Sequence, residues 1–182
     1  MAKRKEYTDA ELKEIAVKKA RNIWNEPIEH AFCIDCEANI QPSRIGTDGS
    51  VYVSEIQAKT ARYVVHNHPH PCKEPSTFSG ADVYALLHFR LNEIIVCSYG
   101  TIFSMSNNGC KLPASEVEKQ MDSEFRKIDH KYQKKYLNEA ASASDSKLKA
   151  AYKAYLISIE QEYRIWLKNY ALENNLIYME VE

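Results

Sequence analysis

The sequence predicts an α/β fold: one mixed β-sheet flanked by helices, followed by a C-terminal antiparallel helical hairpin. Three observations carry this. Between residues 28 and 105 short runs with strand-type alternation or β-branched residues are punctuated by turn signals. An amphipathic helix starting near Ser79 follows the run at 61–65, so the segment from 28 to about 110 reads as an α/β unit with an early hairpin, one central buried strand and a late hairpin. Beyond Pro113 the composition shifts to charge-laced segments with apolar residues every three or four positions.

The elements follow in order. Thr8 with Glu11 forms a capping box, and Leu12, Ile15, Ala16, Ala20, Ile23 and Trp24 recur at helical spacing, so a helix is predicted over 9–25, stopped by Pro27. Ile28, Phe32 and Ile34 alternate with Glu29, Ala31 and Cys33, which predicts a strand over 28–35 with Glu29 on its less bulky face. A second strand is expected around 40–45, then a turn at Gly46-Thr47-Asp48-Gly49 leading to Val51-Tyr52-Val53. Ser54 and Gln57 cap a short helix, 61–65 forms a central buried strand ending at His66-Asn67-His68-Pro69, and a Pro- and Lys-rich loop runs to Phe78. Ser79 opens a helix through Val83, Leu86 and Leu87, and strands at 93–98 and 101–105 are joined by Tyr99-Gly100. Val117, Met121, Phe125, Ile128, Tyr132 and Tyr136 mark one long helix; residues 140–146 break it; Leu148, Tyr152, Tyr155, Ile159, Tyr163, Trp166 and Tyr170 mark the other. Asn174-Asn175 stops the second helix, and residues 176–181 return as a last strand. The division expected is a core with its N-terminal helix over 1–112 and a hairpin with a final strand over 113–182. The tyrosine-rich stripe is read as packing.

Composition sets limits on function. The 182 residues are 45% hydrophobic and 27% charged with a net charge of −1, which suits a folded domain that buries roughly two thirds of its unfolded surface without disulfide staples. Near-zero charge offers no footprint for nucleic acid or an anionic membrane. The longest apolar runs fall far short of the ~20 residues that span a bilayer, and the basic start has no apolar segment of a secretory signal. Five cysteines, an odd number irregularly spaced, fit free thiols in a reducing cytoplasm.

The chemistry concentrates in three places. His66 and His68 stand two apart at a strand end, so strand geometry turns both imidazoles to one side. Asp82 lies in the first turn of the helix opened by Ser79 and faces that strand end if the loop folds over. Two nitrogens and one carboxylate oxygen make three ligands for zinc with a fourth position left to water, a catalytic design. Zinc supplies a nucleophilic hydroxide at neutral pH, and a base must carry its proton to the leaving group; Glu29 is the candidate. Ser79 caps its helix and is placed to donate to an oxyanion. Cys33 and Cys36 resemble half of a zinc site without a second half, and His70 and Cys72 lie close enough in sequence to serve as alternative ligands.

Glu29, His66-Asn67-His68-Pro69 and Ser79-Gly80-Ala81-Asp82 together resemble the JAMM signature of the JAB/MPN zinc metalloprotease superfamily, most similar to its prokaryotic and phage-associated, RadC-like branch. The resemblance covers about residues 28–110. It implies a cytidine-deaminase-like mixed sheet and a peptidase or isopeptidase that hydrolyses an amide bond, with His66, His68 and Asp82 as zinc ligands, Glu29 as general acid/base and Ser79 as transition-state stabiliser. Glu37 or Glu55 takes the place of Glu29 if the strand register differs. The loop from Pro69 to Phe78 is longer than the family's, and the hairpin after Pro113 lies outside its minimal domain. A protein or peptide substrate is expected, such as a ubiquitin-like or carrier-protein tail, with no nucleic-acid or membrane partner, and the hairpin's apolar stripes would suit a homodimer. A scaffold that keeps the fold without catalysis is the alternative.

Overall fold

The computed structural model describes residues 7–42, 46–47, 50–137 and 144–181. The expected strand residues 43–45, the turn residues 48–49, the start of the chain through residue 6 and the interhelical break at 140–143 lie outside them. The described chain is α/β, with a six-stranded mixed sheet between helices and a long C-terminal helix.

Helix α1 (Asp9–Ile23) begins with the reciprocal Thr8/Glu11 capping box. Strands β1 (Ala31–Ile34) and β2 (Ile40–Pro42) form an antiparallel pair. After α2 (Glu55–Thr60), capped by Ser54 and Gln57, come β3 (Tyr63–Asn67), α3 (Gly80–His88), β4 (Glu93–Ser98) and β5 (Thr101–Asn107). Helix α4 (Ala114–Tyr132) runs into a π-helical turn (Gln133–Leu137), α5 spans Asp145–Glu173, and β6 (Leu176–Val181) closes the sheet. The sheet order is β2-β1-β3-β4-β5-β6, antiparallel except for β3 and β4, which lie parallel because α3 carries the chain back across one face. Every residue of β3 and β4 is buried, as a parallel pair covered on both faces requires.

Strand alternation sorts the core. Cys33, Val64, Ile94, Val96, Phe103 and Met105 point to the face covered by α3, α4 and α5, whereas Ile34, Tyr63, Val65, Ile95, Cys97 and Ile102 point to α1. The first face shares one hydrophobic cluster with Val117, Met121, Ile128, Ile159, Tyr163 and Leu167, so the two long helices pack on the sheet. The bonds from Tyr170 to Gln120, from Tyr155 to Asp129 and from Lys131 to Glu162 pair these helices in opposite senses.

Two expectations are corrected. The strand predicted over 28–35 is only Ala31–Ile34: before it the His30 carbonyl still accepts from the Asn67 N–H at 3.3 Å, but the His30 N–H and the Ile28 carbonyl bond to the Asn67 side chain instead of a strand backbone. The α-helix expected through Tyr136 ends in the wider π turn, whose Tyr136 hydroxyl accepts a bond from Ser158 of α5.

Helix α3 meets α4 at Gly80, where an added Cβ would lie 2.6 Å from Asp122 Oδ1 and 2.9 Å from the Glu118 carbonyl oxygen. Propensity alone favours alanine in a helix by about 1 kcal/mol. Steric collision with backbone reverses the sign: Gly80→Ala is expected to lower stability by about 1–3 kcal/mol in denaturant unfolding.

Candidate functional site

The site lies where β3 ends beneath the N-terminus of α3. His66 is the fourth residue of β3, and His68 follows the strand but keeps its ladder: its N–H donates to Cys97 O at 3.0 Å and its carbonyl accepts from Ser98 Oγ at 2.7 Å. Both rings therefore point to the α3 face, with centroids 4.7 Å apart. Helix α3 brings Asp82 over them. Asp82 Oδ1 lies 3.0 Å from His66 Nε2, and Oδ2 lies 3.5 Å from His68 Nε2. Ligand atoms of His66, His68 and Asp82 all fall within 4.8 Å of one another, which makes them geometrically able to hold a metal ion; among the described residues no other group of three or more such side chains does so.

Asp82 is held from the other side by Ser79. The Ser79 N–H and hydroxyl both donate to Asp82 Oδ2, at 2.7 and 2.8 Å, and the Asp82 N–H donates back to Ser79 Oγ at 3.3 Å. Burial would raise the Asp82 pKa, yet the two imidazoles and the Ser79 N–H outweigh it and hold the carboxyl well below its ordinary range. For His66 burial works downward, and the opposing Asp82 and Glu29 carboxylates leave its pKa raised. For His68 burial wins and lowers the pKa to about 4 despite Asp82. Its Nδ1, 2.7 Å from Thr77 O, donates to that carbonyl and leaves a lone pair on Nε2. Neither ring nitrogen of buried His66 has an aligned hydrogen-bond partner; the contact with Asp82 is close but poorly directed. Unpartnered buried nitrogens beside a carboxylate fit a cation of nitrogen and oxygen preference.

A cleft of 660 Å³ opens over these groups, lined also by Glu29, Ala31, Val51, Val53 and Phe89. Glu29 precedes β1 rather than lying on it, but the same alternation that turns Ala31 inward turns Glu29 into the cleft. Its N–H donates to Thr47 O at 2.7 Å and its carbonyl accepts from the Gly46 N–H at 2.9 Å. At Gly46 a Cβ would meet Ser50 O at 2.2 Å, so the glycine permits this close approach. Burial, opposed by His66 and reinforced by Asp82, raises the Glu29 pKa. The alternatives sit elsewhere: Glu55 is exposed and paired with Lys59, and Glu37 lies in the turn after β1.

Other expected ligands do not gather here. His70 Nδ1 accepts from the Cys72 N–H, which ties these two residues to one another. Cys33 is buried in the core with its thiol pushed up to about 11 by burial, while Cys36 is exposed, so the pair does not share a site.

Two residues escaped the sequence reading. Fully buried Asn67, between the histidines, points to the opposite face; its Nδ2 donates to Glu26 O and Ile28 O at 3.2 and 3.0 Å, and its Oδ1 accepts from the His30 N–H at 2.7 Å. These bonds bracket Glu29. Glu160 of α5 is buried beside a 210 Å³ cavity that reaches His68. Burial raises its pKa to about 7 against the lowering effects of Ser76, Arg164 and the Thr77 N–H.

Asn67→Ala is expected to destabilise by roughly 3 kcal/mol, since three backbone groups in the segment before β1 lose their bonds to a buried side chain. It should speed hydrogen exchange at the His30 amide far more than at β4. Glu160 binds its proton more tightly folded than unfolded, so its contribution is full below about pH 4.5 and is lost as pH rises through 7, at most about 3 kcal/mol. Glu160→Gln does not titrate, and its melting temperature relative to the parent chain should rise between pH 5 and pH 8.

No family model, no curated protein and no solved structure matches the chain.

Proposed function

We propose that the chain is a zinc-dependent peptidase or isopeptidase of the JAB/MPN kind, in which His66, His68 and Asp82 hold the ion and Glu29 moves the proton. The observation that carries this is the convergence of two imidazoles and one carboxylate within 4.8 Å, beneath a cleft that contains a further buried carboxylate. Imidazole ligands favour zinc over magnesium or calcium, which take oxygen, and three protein ligands leave a position open, as catalytic zinc requires. Bound there, zinc would polarise a scissile carbonyl and bring the pKa of water to about 7.

The chain's own groups supply the rest. Glu29, its pKa raised chiefly by burial, accepts a proton from water and gives it to the leaving nitrogen. His68, donating from Nδ1 to Thr77 O, presents Nε2 as a ligand. The Ser79 hydroxyl donates a hydrogen bond to Asp82, so its first task is to hold that ligand, and donation to an oxyanion requires this bond to exchange. Val51, Val53 and Phe89 give the cleft apolar walls, and exposed Tyr52 stands at its rim. Such a groove suits an uncharged extended backbone, hence a protein or peptide tail as substrate.

Elemental analysis of the purified chain is expected to give one zinc per molecule, lost in His68→Ala and in Asp82→Ala. Glu29→Gln should keep the zinc and lower amide hydrolysis about a hundred- to ten-thousand-fold across a panel of peptide and isopeptide substrates. Zinc bound with no hydrolysis by the parent chain would replace this proposal with the scaffold alternative.

A further inference from the structure

We infer that α5 and β6 form the positioning frame for His68, acting through three consecutive residues of the loop before α3. Residues 68–79 form neither helix nor strand, so no ladder fixes the Thr77 carbonyl to which His68 Nδ1 donates. The far end of the chain fixes it instead. Arg164 Nη2 donates to Pro75 O at 2.7 Å, Ser76 Oγ donates to Glu160 Oε1 at 3.0 Å, and the Thr77 and Tyr178 hydroxyls share a bond of 3.2 Å. Each loop residue is thus tied to the C-terminal segment by a bond that spans 84 to 101 positions in sequence. The holders are themselves held: the Arg164 guanidinium lies over the Phe103 ring at 5.2 Å, and the Tyr178 ring packs edge-on against buried Phe78 at 5.9 Å.

An imidazole that donates from Nδ1 keeps its lone pair on Nε2 only while the acceptor stays in place. Of the two histidines, His68 alone has such a bond; both nitrogens of His66 lack one. The orientation of the second ligand is therefore set from the C-terminal end of the chain. Loss of partners that orient a metal-bound histidine costs about ten- to a hundredfold in metal affinity in comparable sites. Arg164, Glu160 and Tyr178 are accordingly positioning residues. The inference rests on the metal reading for its consequence, though not for the hydrogen bond itself, and two separate readouts keep them apart.

The full-length chain is compared with the double variant Arg164→Met, Tyr178→Phe. In metal-free protein near neutral pH, the ring-nitrogen chemical shifts of His68 should report the Nδ1–H tautomer for the parent and a mixture of tautomers for the variant. In a Co²⁺ titration the variant should bind about ten- to a hundredfold more weakly, with shifted visible absorption bands. Leu172→Ala, 79% exposed on the same helix, should change neither readout. Tyr178→Phe alone, which removes one oxygen and leaves the ring packing, should move both in the same direction and serves if the double variant does not fold. Variants that keep the Nδ1–H tautomer and the parental Co²⁺ affinity would overturn the frame while leaving the metal reading intact. A parent chain that shows the tautomer but binds no Co²⁺ would overturn the metal reading, and the tautomer comparison still decides the frame.

Discussion

Asp82 is the constraint to which the surrounding structure answers. A buried carboxylate is costly unless each of its oxygens is matched, and here one oxygen faces His66 while the other takes two bonds from Ser79. That match requires the first turn of α3 to stand directly over the end of β3. The parallel crossover from β3 to β4 delivers the helix to that face, the Ser79 cap fixes its starting residue, and the missing side chain at Gly80 lets α4 press it inward. One acidic residue therefore ties together a strand end, a helix start and a helix-to-helix contact.

The rest of the site shows where stability has been left unclaimed. His66 is buried with both nitrogens lacking an aligned bond, which packing alone would not favour. Glu29 and Glu160 are carboxylates whose burial raises their pKa. Such groups destabilise a domain unless something else holds them, and here the compensation comes from the apolar cluster shared by sheet, α3, α4 and α5. The long helices contribute core to the same face of the sheet that carries the histidines, so the site has a rigid floor.

Local chemistry was legible in the sequence; long-range support was not. The pairs Thr8/Glu11, Ser54/Gln57 and Ser79/Asp82 announce three helix starts because capping acts over three residues, and all three form. The two-residue period placed His66 and His68 on one side, and it turned Glu29 inward even though the strand stops short of it. Asn67 gave no signal, since its role is to replace strand pairing with side-chain bonds to a segment 37 to 41 residues away. Proximity in sequence misled for His70 and Cys72, which bond to each other. Glu160 and Arg164 fall between the apolar positions of a helix stripe and Tyr178 within a terminal strand, and nothing in a helical period says which loop lies opposite.

The placement of β6 beside β5 carries a consequence for biosynthesis. Translation delivers Glu29 through Asp82 well before α5 and β6, and a nascent chain cannot complete the pairing of β5 with β6 until residue 181 has cleared the ribosome. Contacts of such wide sequence separation also form late in refolding, because loop closure must precede them. Until then the Pro75-to-Thr77 loop lacks its three partners, and the two halves of the site exist as unsupported histidines and a helix start. Support for the second histidine thus arrives only once α5 and β6 have been made, well after the site residues themselves.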